Sequence, residues 1–226
     1  MISLHSRLHD ALIVSCQPVT GGPLDRPEIV AAFALAARDG GAKGLRIEGL
    51  ANVRAVRAVT DLPIIGLIKR IDPATPIIIT ATVKDVHDLA EAGADIIAFD
   101  ATDRPGRPAT VASLTEATHA AGCIAMADLS TAAEAELAIR AGVEILGTTL
   151  SGYTGGEVPA DPDIDLVGAC AALDRPVFAE GRYRTPDEVR AARRAGATAV
   201  VIGSAITRPE HVTSWFAAVM AEQPGT

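Results

Sequence analysis

Two side chains in this 226-residue chain, Lys69 and Glu180, have the type and setting for proton transfer, because each closes an apolar, strand-like run. A lysine ammonium that is partly desolvated among other cations loses its proton more easily, so Lys69 could be a base or a Schiff-base nucleophile. A phosphate counter-ion, or a rim lysine with its ammonium in water, is the alternative. Glu180 could move protons at a substrate oxygen, or it could form an ion pair with Arg182 or Arg208.

Two nearby segments, Ala179-Glu180-Gly181-Arg182 and Val201-Ile202-Gly203-Ser204, have the composition of a phosphate site. Glycines let an anion approach the backbone, where N–H groups at the start of a following helix can point at it. Arg182 would add the opposite charge. The alternative is that both glycines only permit tight turns.

The elements that position these residues follow from a repeat. Glycine-alanine or glycine-valine pairs recur 49 to 54 residues apart, each after a helix-like stretch and before an apolar run. They begin at Gly41, Gly93, Gly142 and Gly196. A period of about 50 residues has room for two βα units, so four periods predict eight strands.

Short apolar runs rich in β-branched residues predict where these strands lie. We place them at residues 11–17, 44–48, 63–69, 95–101, 124–130, 144–151, 176–182 and 199–206. Capping residues and prolines predict helices that begin near Pro27, Thr82, Ser130, Thr185 and Pro209. A strand-like segment at residues 75–82 comes too soon after Lys69 and is expected to be an excursion of a βα loop.

This alternation predicts an α/β fold: a single-domain (β/α)8 (TIM) barrel over residues 1–226, with the phosphate site at the ends of strands 7 and 8. An open doubly wound sheet is the alternative; the barrel is favoured because no Gly-x-Gly-x-x-Gly follows the first strand. Barrel active sites lie where strands end. The predicted strand ends carry Gln17, Arg46, Glu48, Lys69, Arg70, Asp100, Asp128, Thr148, Thr149, Glu180, Arg182, Gly203 and Ser204. Lys69 and Glu180, on strands three and seven, should face each other across the mouth.

Composition excludes several classes of function. The net charge of -8 and the 3% aromatic content argue against nucleic-acid binding and against attraction to an acidic membrane surface. Three cysteines without Cys-x-x-Cys spacing, and histidines without a metal-ligand spacing, predict neither a disulfide framework nor a metal site. The histidines, His211 among them, are expected on solvated helix faces. No apolar run approaches the roughly 18 residues of a membrane span, so we expect a soluble cytoplasmic protein.

The same rim segments resemble those of the N-acylglucosamine-6-phosphate 2-epimerase family, also called N-acetylmannosamine-6-phosphate 2-epimerases. The resemblance covers nearly the whole chain. Its most specific segments are Pro63-Ile64-Ile65-Gly66-Leu67-Ile68-Lys69-Arg70, Ile145-Leu146-Gly147-Thr148-Thr149-Leu150-Ser151-Gly152-Tyr153-Thr154 and Ala179-Glu180-Gly181-Arg182. One departure is Ile71-Asp72-Pro73, where an acidic and then an aromatic residue are expected.

The resemblance implies a cofactor-free isomerase, usually a homodimer, that interconverts N-acetylmannosamine 6-phosphate and N-acetylglucosamine 6-phosphate in amino-sugar or sialic acid catabolism. On that basis we assign the C2 proton transfers to Lys69 and the proton shuttling of ring opening to Glu180. Sugar-binding roles are implied for Gln17, Arg46, Asp128 and Arg208, and phosphate binding for Gly181, Arg182, Gly203 and Ser204.

Two other functions would use the same residues. A Schiff-base phosphosugar lyase would use Lys69 as its nucleophile. A phosphosugar-binding module would bind the ligand without turnover.

Overall fold

The computed structural model describes residues 7–222, which form one closed barrel of eight parallel strands. The strands follow one another around the ring in chain order, and the first pairs with the eighth to close it. The predicted (β/α)8 barrel is therefore confirmed, and the open doubly wound sheet is wrong. The predicted domain, residues 1–226, includes residues 1–6 and 223–226, which lie outside the described residues.

All eight predicted strands are present. They are β1 Ala11–Cys16, β2 Gly44–Glu48, β3 Ile64–Leu67, β4 Ile96–Asp100, β5 Ile124–Asp128, β6 Ile145–Gly147, β7 Val177–Glu180 and β8 Ala199–Ile202. The helices of the described residues are α1 Pro27–Asp39, α2 Leu50–Arg57, α3 Val83–Ala92, α4 Val111–Ala120, α5 Ala132–Arg140, α6 Ile164–Ala171, α7 Pro186–Arg194, α8 Ser204–Thr207 and α9 Pro209–Ala221.

Local chemistry accounts for the helix ends. Three helices begin with a capping box. In each box the threonine hydroxyl accepts from the backbone N–H of an acidic residue three positions later, and the side chain of that acidic residue accepts from the threonine N–H. The pairs are Thr82 with Asp85, Thr131 with Glu134 and Thr185 with Glu188. The four repeat glycines have φ between 92° and 103°, the left-handed conformation that turns the chain from a helix into the next strand.

The last predicted strand, residues 199–206, is too long. The chain leaves β8 at Ile202 and forms the short helix α8, in which the N–H groups of Ile206 and Thr207 donate to the Gly203 carbonyl. The apolar run continues across this boundary, so hydrophobicity alone cannot separate the strand from the helical turn. Residues 148–151, predicted as the end of the sixth strand, likewise form a turn.

The segment after β3 is the loop excursion that the sequence predicts. Lys69 and Ile79 form an isolated antiparallel bridge, so the chain runs out and back along itself. The return arm also reaches β4, because the Asp100 N–H donates to the Ile79 carbonyl at 3.0 Å. The excursion therefore extends the barrel wall beside Lys69 and holds the backbone of this residue at the mouth.

The barrel interior consists of an apolar layer and a polar layer above it. Inward-facing core residues include Ile13, Leu67, Ala98, Met126, Ile145, Phe178 and Val201. Because side chains alternate along a strand, the next inward position lies two residues further on. Those positions hold Ser15, Lys69, Asp100, Asp128, Gly147, Glu180 and Gly203. The strand period therefore delivers the predicted site residues to one end of the barrel.

Gly66 in β3 tests how tightly the wall is packed. A Cβ at this position would lie 2.7 Å from the Ala94 Cβ and 3.2 Å from the Leu89 Cδ2. We expect Gly66→Ala to lower the free energy of unfolding by about 1–3 kcal/mol, because the Ala94 Cβ cannot move away without shifting backbone. Urea denaturation measures this loss.

The matched control is Gly168→Ala in α6, where the nearest atom to a Cβ is the Ala195 carbonyl oxygen at 3.9 Å. Alanine favours helix over glycine, so this variant should be as stable as the parent or more stable by up to about 1 kcal/mol. Equal stability of the two variants would contradict the packing argument.

Candidate active site

A cavity of about 600 Å³ opens at the carboxyl ends of the strands. Nine of the ten predicted site residues line it: Gln17, Arg46, Lys69, Glu180, Gly181, Arg182, Gly203, Ser204 and Arg208. The tenth, Asp128, lies beneath the lining, where it contacts Arg46 and Thr149. The residues predicted on opposite sides of the barrel, at the third and the seventh strand, thus line one cavity.

The charge of this cavity is opposite to that of the whole chain. Its described lining holds the cations Arg46, Lys69, Arg104, Arg182, Arg184 and Arg208 and a single carboxylate, Glu180. The chain as a whole carries a net charge of -8. A cationic cavity in an acidic protein attracts a small anion.

Lys69 points into the cavity, whereas Arg70 turns away and pairs with Asp85 at the start of α3. The Lys69 Nζ donates to the Gln17 Oε1 at 2.7 Å. Desolvation by the cavity walls lowers the pKa of Lys69, and the positive charges of Arg46 and Arg208 lower it further, against an opposing effect of Glu180 and Glu48. Water still reaches the side chain through the open mouth. The lysine is therefore easier to deprotonate and accessible to a ligand.

Arg46 on β2 is the deepest cation of the site, with 1% of its side chain exposed. Its Nη2 donates to the Asp128 Oδ2 at 2.7 Å, and its Nε lies 3.2 Å from the Glu180 Oε2. Burial would lower the pKa of Arg46, but the two carboxylates outweigh burial and raise it. Arg46 therefore carries a permanent positive charge under the cavity floor.

Glu180 at the end of β7 is the one carboxylate in the described lining, with 14% of its side chain exposed. Burial raises the pKa of Glu180 and the Asp128 charge adds to the rise, while Arg46, Lys69 and the Thr149 hydroxyl act to lower it. The suggested ion pair with Arg182 or Arg208 is wrong, because the partner of Glu180 is Arg46. A raised pKa makes a carboxyl a better proton acceptor and leaves more of it protonated at a given pH.

Gly181 and Gly203, at the ends of β7 and β8, both line the cavity. Gly181 has φ +113°, which a side chain rarely adopts. A Cβ on Gly203 would lie 3.3 Å from the Ser15 Cβ on the neighbouring strand. Both glycines therefore leave bare backbone facing the cavity.

Arg182 is more constrained than its predicted role as a phosphate countercharge suggests. Its Nε donates to the Asp161 carbonyl at 2.7 Å and its Nη1 to the Ser151 carbonyl at 2.5 Å. Its guanidinium also lies over the Tyr153 ring, 5.6 Å from the centroid. The side chain therefore ties down the long loop between β6 and α6 while it lines the cavity.

Several lining residues escape sequence reasoning. Arg104 follows β4 and is held by Asp100, one of the strand-end carboxylates, at 2.5 Å. Arg184 lies over the Trp215 ring at 5.0 Å, and His211, expected on a solvated helix face, lines the cavity with Trp215. These residues come from loops and from α9, whose closure over the mouth no strand pattern indicates.

In addition to the cavity residues, the described part of the chain holds a buried Cys16 thiol, no cluster of metal ligands and no membrane helix. Burial raises the pKa of the Cys16 thiol to about 12, so this cysteine beside Gln17 stays protonated. Within residues 7–222, no three histidine, cysteine, aspartate or glutamate side chains are grouped to hold a metal ion. No helix in that part of the chain is long and apolar enough to cross a membrane.

Fold and site together define an α/β barrel with a cationic cavity at the carboxyl ends of its strands, lined by a lysine and a glutamate. A family model described as "Putative N-acetylmannosamine-6-phosphate epimerase" matches residues 30–222. The chain belongs to this family.

Individual relatives agree with that assignment. The "Putative N-acetylmannosamine-6-phosphate 2-epimerase" of Pasteurella multocida (strain Pm70) is 53% identical over 206 residues, 91% of this chain and 90% of its own. The solved structure of the N-acetylmannosamine-6-phosphate 2-epimerase from Clostridium perfringens superposes with a TM-score of 0.92 at 38% identity, covering 96% of each chain.

Removing the Asp128 carboxylate should show how far the buried charges depend on one another. Asp128→Ala leaves the Arg46 guanidinium with Glu180 as its one carboxylate partner in the described site. Breaking a buried pair from one side costs about 3–5 kcal/mol, so we expect a loss of that order in urea denaturation.

Glu136→Ala is the surface control, because Glu136 pairs with Arg140 at 3.7 Å and both side chains are exposed. Exposed pairs contribute little, so its unfolding midpoint should stay close to that of the parent. Equal losses of stability in the two variants would contradict the expectation that the buried ion pair contributes more to stability than the exposed one.

Proposed function

We propose that this chain interconverts N-acetylmannosamine 6-phosphate and N-acetylglucosamine 6-phosphate by removing and returning the proton at C2. The observation that carries the proposal is the cationic cavity with Lys69 after β3 and Glu180 at the end of β7, two strands on opposite sides of the barrel. The membership of the family and the names of the relatives support the same substrate pair.

The chemistry requires two kinds of proton transfer. The C2 proton is acidic only when C2 lies next to a C1 aldehyde, so the sugar ring must open before epimerisation. A carbon acid then needs a positioned base and charge stabilisation for the enediolate that forms. Each requirement matches a group in the cavity.

Glu180 serves ring opening. In its protonated form it gives its proton to the ring oxygen as the C1–O5 bond breaks and the bonding pair goes to that oxygen. The resulting carboxylate takes the proton of the C1 hydroxyl as the aldehyde forms. Burial raises the pKa of Glu180, which increases the protonated fraction available to start this sequence.

Lys69 serves the carbon step. Its neutral amine takes the C2 proton, the C–H electron pair becomes the C1–C2 double bond, and negative charge moves to the C1 oxygen. The Lys69 ammonium, whose protons exchange with water, then gives a proton to the other face of C2. The C1–C2 double-bond electron pair forms the new C–H bond, which gives the epimer and restores the neutral amine. The lowered pKa of Lys69 increases its neutral fraction, and the neighbouring Arg46 and Arg208 charges oppose the developing anion.

The remaining residues position the sugar. The backbone around Gly181 and Gly203–Ser204, with Arg182, binds the phosphate, and this contact anchors the reacting carbon. Gln17 and Arg208 are held together, because the Arg208 Nε donates to the Gln17 carbonyl at 2.6 Å. They and Arg46 orient the hydroxyls and the N-acetyl group, and Asp128 acts through the Arg46 guanidinium that it holds.

The wider setting is also proposed. Three free cysteines are typical of a reducing compartment such as the cytoplasm. Exposed Phe216, Val219 and Met220 on α9 form an apolar surface that supports a homodimer. A role in amino-sugar or sialic acid catabolism, and one barrel domain over residues 1–226, complete the proposal.

Incubation with N-acetylmannosamine 6-phosphate in D₂O, followed by proton NMR, tests this function. Epimerisation with deuterium entering at C2 supports the proposal. Carbon–carbon cleavage would indicate the Schiff-base lyase, and binding without turnover would indicate a phosphosugar-binding module.

Lys69→Ala should abolish deuterium exchange at C2, with a loss of at least the roughly 100-fold that is typical of a proton-transfer residue. Phosphosugar affinity should largely remain, because the proposed phosphate contacts lie on β7 and β8. Lys69→Arg keeps the charge but has no accessible neutral form, so it should be as inactive as the alanine variant. Near-normal exchange in Lys69→Arg would rule out Lys69 as the base.

Glu180→Gln should slow the cyclic sugar severely, since an amide keeps the shape of the carboxyl but cannot relay a proton. The informative comparison uses a substrate analogue locked as the open aldehyde. C2 exchange on this analogue should stay near the parent rate, because Glu180 serves ring opening. Equal impairment on both substrates would instead make Glu180 a second base at C2.

A further inference from the structure

The Thr149 hydroxyl lies between the two carboxyl groups of the site. Thr149 follows β6, and its Oγ1 is 2.7 Å from the Asp128 Oδ1 and 3.2 Å from the Glu180 Oε2. Both distances are within hydrogen-bonding range, and Thr149 lines the cavity. The preceding residue differs, because the Thr148 hydroxyl contacts the backbone of Glu180 and not its carboxyl group.

One hydroxyl proton cannot serve two carboxylates at once. A threonine hydroxyl has one O–H to donate, and an ionised carboxylate can only accept. The Thr149 hydroxyl therefore donates to one acid at a time, and the shorter distance favours Asp128 when Glu180 carries its own proton. Moving the donor bond requires rotation of the hydroxyl hydrogen about Cβ–Oγ1, with no heavy atom displaced.

The two acids differ in the other hydrogen bonds that are available to them. Asp128 keeps its Arg46 hydrogen bond at Oδ2 in either case. The Glu180 Oε2 has the Arg46 Nε at 3.2 Å, but this nitrogen makes no aligned hydrogen bond among the described residues. Charge appearing on Glu180 therefore has one well-placed hydroxyl donor in the described site, which is Thr149.

We propose that Thr149 is a positioning residue whose hydroxyl turns its hydrogen bond from Asp128 to Glu180 as Glu180 gives up its proton. The inference rests on the proposed role of Glu180 in ring opening. The Glu180 O–H bond breaks toward the ring oxygen, the electron pair stays on Glu180, and the Thr149 hydroxyl then donates to Oε2. When Glu180 takes the C1 hydroxyl proton, the hydroxyl returns to Asp128.

The charged groups that face Glu180 are Arg46 from β2, Lys69 after β3 and Asp128 from β5, while β8 presents Val201 beside it. Substituting Thr149 changes none of these charges. A shift in the Glu180 titration on removal of the hydroxyl would therefore report the hydrogen bond itself. The Thr149 hydroxyl is among the groups that lower the pKa of Glu180, which agrees in direction.

Infrared titration of the protein without substrate tests the inference. The C=O stretch of protonated Glu180 is isolated by subtracting the spectrum of Glu180→Gln. Thr149→Val keeps the side-chain shape without the hydroxyl, and it should raise the Glu180 midpoint, because the bond turns to Glu180 only if it is the stronger of the two. The rise should be less than the roughly one pH unit of a hydrogen bond made to one protonation state alone, since the bond to Asp128 is lost as well. Thr149→Ser should restore the parent midpoint, and Thr149→Ala should agree with valine.

Kinetics give the second readout. Thr149→Val should slow turnover of the cyclic sugar about tenfold more than C2 exchange on the open-chain analogue, and Thr149→Ser should recover most of the loss. An unchanged Glu180 midpoint in both the valine and alanine variants would overturn the inference, as would a lowered midpoint, which would mean that the hydroxyl always donates to Asp128. The titration needs no turnover, so its outcome is independent of the proposed reaction.

Discussion

The buried guanidinium of Arg46 is the constraint on which the rest of the site depends. A charge this far from water is tolerated only when opposite charges and hydrogen bonds surround it. Asp128 on β5 and Glu180 on β7 supply the opposite charges. The Arg46 side chain therefore links β2 to β5 and β7, and no two of these strands are neighbours in the barrel. The floor of the cavity is thus a charge cluster of Arg46, Asp128 and Glu180, which lies directly above the apolar core.

The same cluster sets the chemistry above it. The Arg46 charge lowers the pKa of Lys69, which makes that amine easier to deprotonate, and it limits the rise in the pKa of Glu180. One cation therefore lowers the pKa of both the proposed base and the proposed acid. Stability alone would favour apolar residues at these positions, so the cluster is best understood as a functional departure from a well-packed interior.

Much of this arrangement follows from short-range rules. The period of two along each strand places Ser15, Lys69, Asp128 and Glu180 one step above the core. The sequence predicts the four strands concerned, although each predicted strand runs one or two residues past its observed end. Those short-range rules do not predict contacts between segments that are distant in the sequence. The depth of Asp128 depends on Arg46, 82 residues away, and Thr149 acquires its role only when β6 is flanked by β5 and β7. Sequence spacing shows that Arg182 lies near the mouth, but not that loop carbonyls hold its guanidinium.

In the proposed function, the order of the strands around the barrel also separates phosphate binding from proton transfer at C2. The glycine-bearing ends of β7 and β8 are adjacent, whereas Lys69 follows β3 on the far side. A phosphosugar anchored by its phosphate at β7 and β8 extends its other end across the mouth, toward the lysine. Glu180 stands between the two because it precedes Gly181 on the anchoring strand while its carboxyl group is bound to the central Arg46. Ring opening near the anchor and proton transfer at the far wall can then occur on one bound molecule, without its release between the two steps.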